Sequence, residues 1–183
     1  MTFSLMFQKN KLLILLCLAF FTTFLSCEKS EISENITLAI DFIIDEENKA
    51  FDNIILLNAF EESHVLLDYG ENITGIEILS IVYYMTDFSG PGGQQINTGS
   101  LEVAGRDGAG AALIGTISNE NLQDLLYEQK ELNLQQDGIS RLEELIQKDP
   151  HEFRLRLSGI SNLAPNDYTL TMEIELRMFA IPL

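Results

Sequence analysis

YTLTMEIELRMFAI, residues 168–181, decides how this chain folds. Tyr168, Leu170, Met172, Ile174, Leu176 and Met178 fall on one side of an extended backbone, and Thr169, Thr171, Glu173, Glu175 and Arg177 on the other. A period of two reads as a strand, and one dry face with one wet face reads as a strand of an antiparallel sheet. Just upstream, Phe153, Leu155 and Leu157 alternate with Arg154, Arg156 and Ser158. Pro165-Asn166-Asp167 marks the loop between the two. The simplest expectation is that the chain folds back near Leu163 and the two segments pair. Arg154 and Arg156 would then lie beside Glu173 or Glu175, each such pair adding ~0.2–1 kcal/mol.

Outward from this stretch, the same period recurs. Ile36, Leu38, Ile40, Phe42 and Ile44 alternate with Thr37 and Asp41, followed by a turn over Asp45–Lys49. Asn53–Phe60 is apolar with poor alternation and reads as a buried strand. His64–Leu67 fits either a strand or a helical turn ended by Gly70. Ile73–Phe88 carries Ile76, Ile78, Ile81, Val82, Tyr83 and Tyr84, so both faces are apolar, as in a strand in the middle of a sandwich. Ser89-Gly90-Pro91-Gly92-Gly93 breaks the chain. Leu101–Ala104 and Ala111–Ile117 read as a hairpin around Arg106-Asp107-Gly108.

Two helices are expected between that hairpin and residue 152. Ser118 or Asn119 caps the first, with Leu122, Leu125 and Leu126 at helical spacing. Asp137 caps the second, with Ile139, Leu142, Leu145 and Ile146 on one stripe, Lys148 at its end and Pro150 stopping it. Leu132 and Leu134 between them suit a short strand. About eight strands and two short helices predict a mainly-β fold, a two-layer antiparallel β-sandwich (immunoglobulin-like or related) with the helices inserted in one connection.

The chain has 11 Lys+Arg against 28 Asp+Glu, a net charge of −17. Such a surface repels nucleic-acid phosphates, so no nucleic-acid partner is expected. The only cysteines are Cys17 and Cys27, and the only histidines are His64 and His151. No Gly-x-Ser-x-Gly elbow occurs, and neither histidine sits in a spaced metal pair. Catalytic, metal and cofactor residues are therefore expected to be none. Asp45, Glu46, Glu47, Asn48, Asp52 and Asn53 crowd one turn with oxygen ligands of the kind Ca²⁺ takes, but the turn lacks the glycine and spacing of a calcium loop. Gly108-Ala109-Gly110 lacks the following helix of a phosphate loop. Of the neighbours Tyr83 and Tyr84, one points to the core and the other to the opposite face.

The beginning of the chain speaks to location. Lys9 and Lys11 precede an apolar run, Leu12–Leu25, closed by Phe24-Leu25-Ser26-Cys27. That order is a secretory signal, and the run is short for a membrane span. A small residue before a Cys at the cleavage point resembles the lipobox of bacterial lipoproteins. The resemblance implies that residues 1–26 are a signal peptide and that Cys27 is the lipidated first residue of the mature chain. Cleavage would remove Lys9 and Lys11 and no acid, leaving the mature chain two charges more negative. Glu28–Asn35 is polar and reads as a tether, so residues 27–35 precede a single domain at 36–183. Glu28 after Cys27 is not the aspartate of the inner-membrane retention signal. The acidic start resembles lipoproteins that Bacteroidota send to the outer membrane, on its periplasmic or its outer face.

The order of elements from Ile73 to Leu183 also resembles that of small β-sandwich lipoproteins whose role is not established. It rests on Glu131-Leu132-Asn133-Leu134, the helix over Gly138–Leu145, Leu157-Ser158-Gly159, the Ala164-Pro165 turn and the closing Pro182-Leu183. The resemblance implies the sandwich and no chemistry. The expected function is a non-enzymatic binding or accessory module, anchored in the membrane through Cys27, with Ser89–Gly93 and the Arg106 hairpin as ligand positions. The alternatives are a carboxylate-dependent hydrolase such as a glycosidase, and a strand-exchange assembly subunit that donates its long last strand.

Overall fold

The computed structural model describes residues 30–182. The signal peptide, Cys27 and the first residues of the tether lie outside the described residues. The chain forms β1 (Ile32–Glu46), β2 (Ala50–Asn58), α1 (Ala59–Glu62), α2 (His64–Tyr69), β3 (Ile73–Phe88), β4 (Gln95–Gly105), β5 (Ala112–Asn121), β6 (Lys130–Glu131), β7 (Asn133–Leu134), α3 (Gln136–Gln147), β8 (Glu152–Ser161) and β9 (Asn166–Ala180). These make two antiparallel sheets, ordered β1-β9-β3-β6 and β2-β8-β4-β5-β7. The fold is the expected mainly-β sandwich.

The decisive strand, β9, is the centre of the four-stranded sheet. It pairs with β1 from Ile32↔Ala180 to Glu46↔Asn166 without a register shift, and with β3 on its other side. Tyr168, Leu170, Met172, Ile174, Leu176 and Met178 are all buried, as are Ile36, Leu38, Ile40, Phe42 and Ile44 of β1. They belong to one core with Phe153, Leu155 and Leu157 of β8, Leu101 and Val103 of β4, and Ile114 and Ile117 of β5.

The expected pairing of the last two strands is therefore wrong. β8 lies in the five-stranded sheet between β2 and β4, and β9 lies in the other. The connection Asn162–Pro165 carries the chain across the sandwich instead of turning it back within a sheet. A dry strand face is satisfied equally by a stacked sheet, which is why alternation alone does not choose. Arg156 consequently meets Asp52 and Glu102, whereas Glu173 and Glu175 accept hydrogen bonds from Tyr84 and Ser80. Both edges of β9 are occupied within the chain, by β1 and β3.

Five smaller expectations are corrected. The two apolar faces of β3 come from bulges, not from a central position: inward residues run Ile76 and Ile78, then switch parity to Ile81, Tyr83 and Met85 across the shift between Ile78 and Ser80. The helix led by Ser118 or Asn119 does not form. β5 continues through Asn121, paired to Gln95–Thr98, and only a 3₁₀ turn at Asp124–Leu126 remains, with Leu122 and Leu125 still buried. The second helix begins after Gln135, with Asp137 in its first turn rather than at its cap. β1 starts at Ile32, inside the expected tether, because Ile32–Asn35 find backbone partners at Arg177–Ala180. The segment read as a strand to Phe60 ends at Asn58, whose side chain accepts from Phe60 N–H and starts α1; Gly70 then ends α2.

α3 closes one side of the sandwich. Glu143 Oε1 accepts the Ile78 N–H at 2.9 Å, and Gln147 Nε2 donates to Thr74 O at 3.0 Å, so the helix stands in for the strand missing from the β3 edge. It seats against β5 through Gly138. A Cβ there would strike the Leu113 carbonyl and stand 2.6 Å from Ile114 Cα.

Candidate functional site

Registers put the two expected ligand positions at opposite ends. Ser89–Gly93 lies with the β1–β2 turn and the β8–β9 loop, and the Arg106 hairpin lies with the start of β1 and the end of β9.

The glycine-rich end is built around a buried amide knot. Gln94 Nε2 donates to Leu163 O at 3.0 Å, Pro165 O at 3.0 Å and Asn166 Oδ1 at 2.9 Å. Asn166 Nδ2 in turn donates to Asn48 O at 2.7 Å and Lys49 O at 3.1 Å. One knot thus ties three loops to one another. Tyr127, 87% exposed, sits on the loop between β5 and β6. No sequence signal marks Gln94 or Asn166, because their partners lie about seventy or more positions away.

The Arg106 end interleaves cations with the acids Asp107, Asp149 and Glu152. Arg106, Arg141 and Arg154 come from the hairpin, α3 and β8, and Lys148 follows the last residue of α3. Arg106 Nη1 lies 2.6 Å from Glu152 Oε2, and Arg141 Nη1 lies 2.6 Å from Glu144 Oε2. The Arg141 guanidinium holds the Glu144 carboxyl below the usual range. Arg154 lies over Gly108, where φ is +87° and a Cβ would stand 2.8 Å from Nη1; Arg141 lies over Gly110. A glycine-rich hairpin is what lets two guanidinium groups lie against its backbone. Between Arg106, Arg141, Lys148 and Glu152 is an open hollow of about 520 Å³. The Arg106–Glu152 bridge, half open to solvent, is worth at most about 1 kcal/mol.

The remaining flagged residues do not assemble a centre. Asp52 of the acidic turn is held by Arg156 at 2.8 and 2.7 Å, which pushes its carboxyl below the ordinary value, and Asn53 donates to Ile43 O at 2.7 Å. Among the described residues no group of three His, Cys, Asp or Glu could hold a metal ion. His151 stacks on Phe60 at 3.7 Å with Nδ1 2.9 Å from Ile146 O, and His64 lies on α2, on a different element. Tyr83 is buried, and Tyr84 faces the opposite way with its hydroxyl donating to Glu173 at 2.8 Å.

Among the described residues, no helix is long and apolar enough to cross a membrane. Compared with protein-family models and with curated proteins, the chain matches none. Several solved structures show distant likenesses. Desmodium yellow mottle tymovirus is similar at 11% identity over 83% of this chain and 84% of that one, with a TM-score of 0.33. Turnip yellow mosaic virus is similar at 8% identity over 84% of each chain, with a TM-score of 0.36. The Yersinia pseudotuberculosis TcaA-TcaB structure is similar at 13% identity over 91% of this chain but 11% of that one, with a TM-score of 0.40. At these scores the likenesses carry no argument about family or activity.

Proposed function

We propose that this chain is a lipid-anchored extracytoplasmic module at an outer membrane, held by acyl chains on Cys27, and that it binds a partner rather than transforming a substrate. The observation that carries the reading is the order of charge, apolar run and Ser26-Cys27 between Lys9 and Cys27. More than one acyl chain is needed for stable attachment, each buried methylene contributing ~0.8 kcal/mol. β1 begins at Ile32, so only Glu28–Glu31 separate it from Cys27, a link of at most ~14 Å when extended. On so short a link the end bearing the start of β1 and the Arg106 hairpin stays near the bilayer. The end bearing Ser89–Gly93 and Tyr127 is then the one a partner meets first.

Replacing Cys27 with alanine tests the anchor. The variant is expected to leave the envelope pellet for the soluble fraction, while mass spectrometry of the parent finds acyl chains on a peptide beginning at Cys27. An alanine variant that pellets as firmly as the parent would overturn the reading.

A further inference from the structure

We propose that the α1–α2 corner rests on the lipid surface, with Leu67 and Ile181 entering its apolar layer close to the acyl chains on Cys27. The inference rests on attachment through Cys27 and adds the surface that meets the membrane and the kind of lipid it fits. β2 belongs to one sheet and β3 to the other, so the chain between them, residues 59–72, crosses an end of the sandwich. It is the end where β1 starts and β9 finishes. Ile32 and Ile73 both face Ala180, and the Ile181 N–H donates to Asn72 O at 3.0 Å.

The crossing segment plugs the core with one side and shows the other to its surroundings. Ala59 and Leu66 are fully buried, and Val65 and Tyr69 pack against the same core. Positions 65, 66 and 69 fill one side of a helix, which turns Leu67 away from the core. Leu67 is 56% exposed, between exposed His64 and Asp68 on the outer side of α2. Ile181, 38% exposed, follows the last residue of β9 at the same end.

Reach selects lipid as the occupant. Residues 28–31 alone join Cys27 to Ile32, a link of ~14 Å at full extension. Even a domain of ~100 residues has a radius of gyration of ~13 Å, so no folded partner fits between this corner and the bilayer. The same link holds the corner at a high effective concentration against the lipid. One or two apolar side chains then suffice, although they would be too weak to bind from solution. Charge sets the kind of lipid. Glu61, Glu62, Asp68 and Glu71 are exposed on the crossing segment, which contains no lysine or arginine. Anionic head groups repel these carboxylates and zwitterionic ones do not. The fitting surface is therefore zwitterionic, with the carboxylates in head-group water and Leu67 and Ile181 below them.

An acylated Cys27 leaves the mature chain without a free thiol, so one added cysteine takes one dye. Full chains carrying Leu67→Cys, Ile181→Cys or, at the opposite end, Tyr127→Cys are labelled with an environment-sensitive maleimide dye. They are reconstituted into phosphatidylcholine vesicles with and without a nitroxide on the acyl chains, and mass spectrometry reads the acylation of Cys27. Quenching by the nitroxide and a blue shift are expected at positions 67 and 181 and not at 127. Replacing part of the lipid with phosphatidylglycerol should weaken the quenching, and salt should restore it. Leu67→Asp added to the Ile181→Cys chain should lower its quenching and leave the thermal melt unchanged, because Leu67 does not enter the core. Unquenched dyes at 67 and 181 on an acylated chain would overturn the proposal and leave the anchor standing; an unacylated Cys27 would overturn both. The proposal also fails if phosphatidylglycerol strengthens the quenching, which would mean that the cations of the Arg106 end dock instead. It fails too if the dyes shift in envelope membranes but not in pure lipid, which would mean that a protein covers the corner.

Discussion

Replacing Gly138 with alanine sets two opposed effects against each other. On an isolated helix the change is favourable by ~1 kcal/mol, since alanine is the better helix former. In the folded chain the new Cβ meets the Leu113 carbonyl and stands 2.6 Å from Ile114 Cα, where ordinary contact begins at ~3.5 Å. The obstacles are backbone atoms of β5, so relief requires α3 to move off by ~1 Å. That movement lengthens the Glu143–Ile78 and Gln147–Thr74 hydrogen bonds and the Gln135 N–H to Ile114 O bond, now 2.7 Å. It also loosens Ile139, Leu142 and Ile146 in the core. Overpacking of this kind costs ~1–3 kcal/mol, and each weakened bond up to ~1 kcal/mol. After the propensity gain, the net loss is ~2–3 kcal/mol, or ~5–10 °C in Tm for a domain of this size. Urea and thermal unfolding followed by circular dichroism measure it, with Ser140→Ala on the exposed side of α3 as the control expected to stay within ~0.5 kcal/mol. A Gly138→Ala chain as stable as the parent would refute the close seating of α3 on β5.

Gln94→Ala should cost ~2–4 kcal/mol in the same assay, because Leu163 O, Pro165 O and Asn166 Oδ1 lose a buried donor together. The Asp52 carboxyl is held low by its hydrogen bonds to Arg156, so its contribution is present above the ordinary value of 3.8 and fades as pH falls through the lower folded value. Asp52→Asn, at this half-exposed pair, should lose ~0.5–1 kcal/mol near neutral pH and nothing once the parent's carboxyl is protonated; unfolding curves at both pH values check it. Burial pushes the Tyr168 phenol up, and burial with Glu120 nearby does the same for Tyr83. Native stability should therefore fall as pH rises past 10, with both phenols ionising only on unfolding, as ultraviolet titration would show.

The sequence alone determined which side of each regular strand is dry. Alternation along β1, β8 and β9, and the stripe of Ile139, Leu142 and Ile146, predicted core residues that the fold buries. It determined this because side-chain direction follows from a fixed backbone period. Sheet membership was decided only in three dimensions. A backbone ladder is blind to side-chain identity, and the dry faces of β8 and β9 are as well served by stacking as by pairing. The bulges of β3 were hidden for a related reason: a shift in parity looks, in one dimension, like a strand apolar on both faces. The Arg106 end was half legible, as a hairpin with a glycine-rich tip. Arg141 and Arg154 joined it from α3 and β8 because tertiary packing sets remote guanidinium groups over Gly110 and Gly108. That β2 stands at an edge belongs wholly to the tertiary structure, since a strand becomes an edge only when the order of its neighbours is settled.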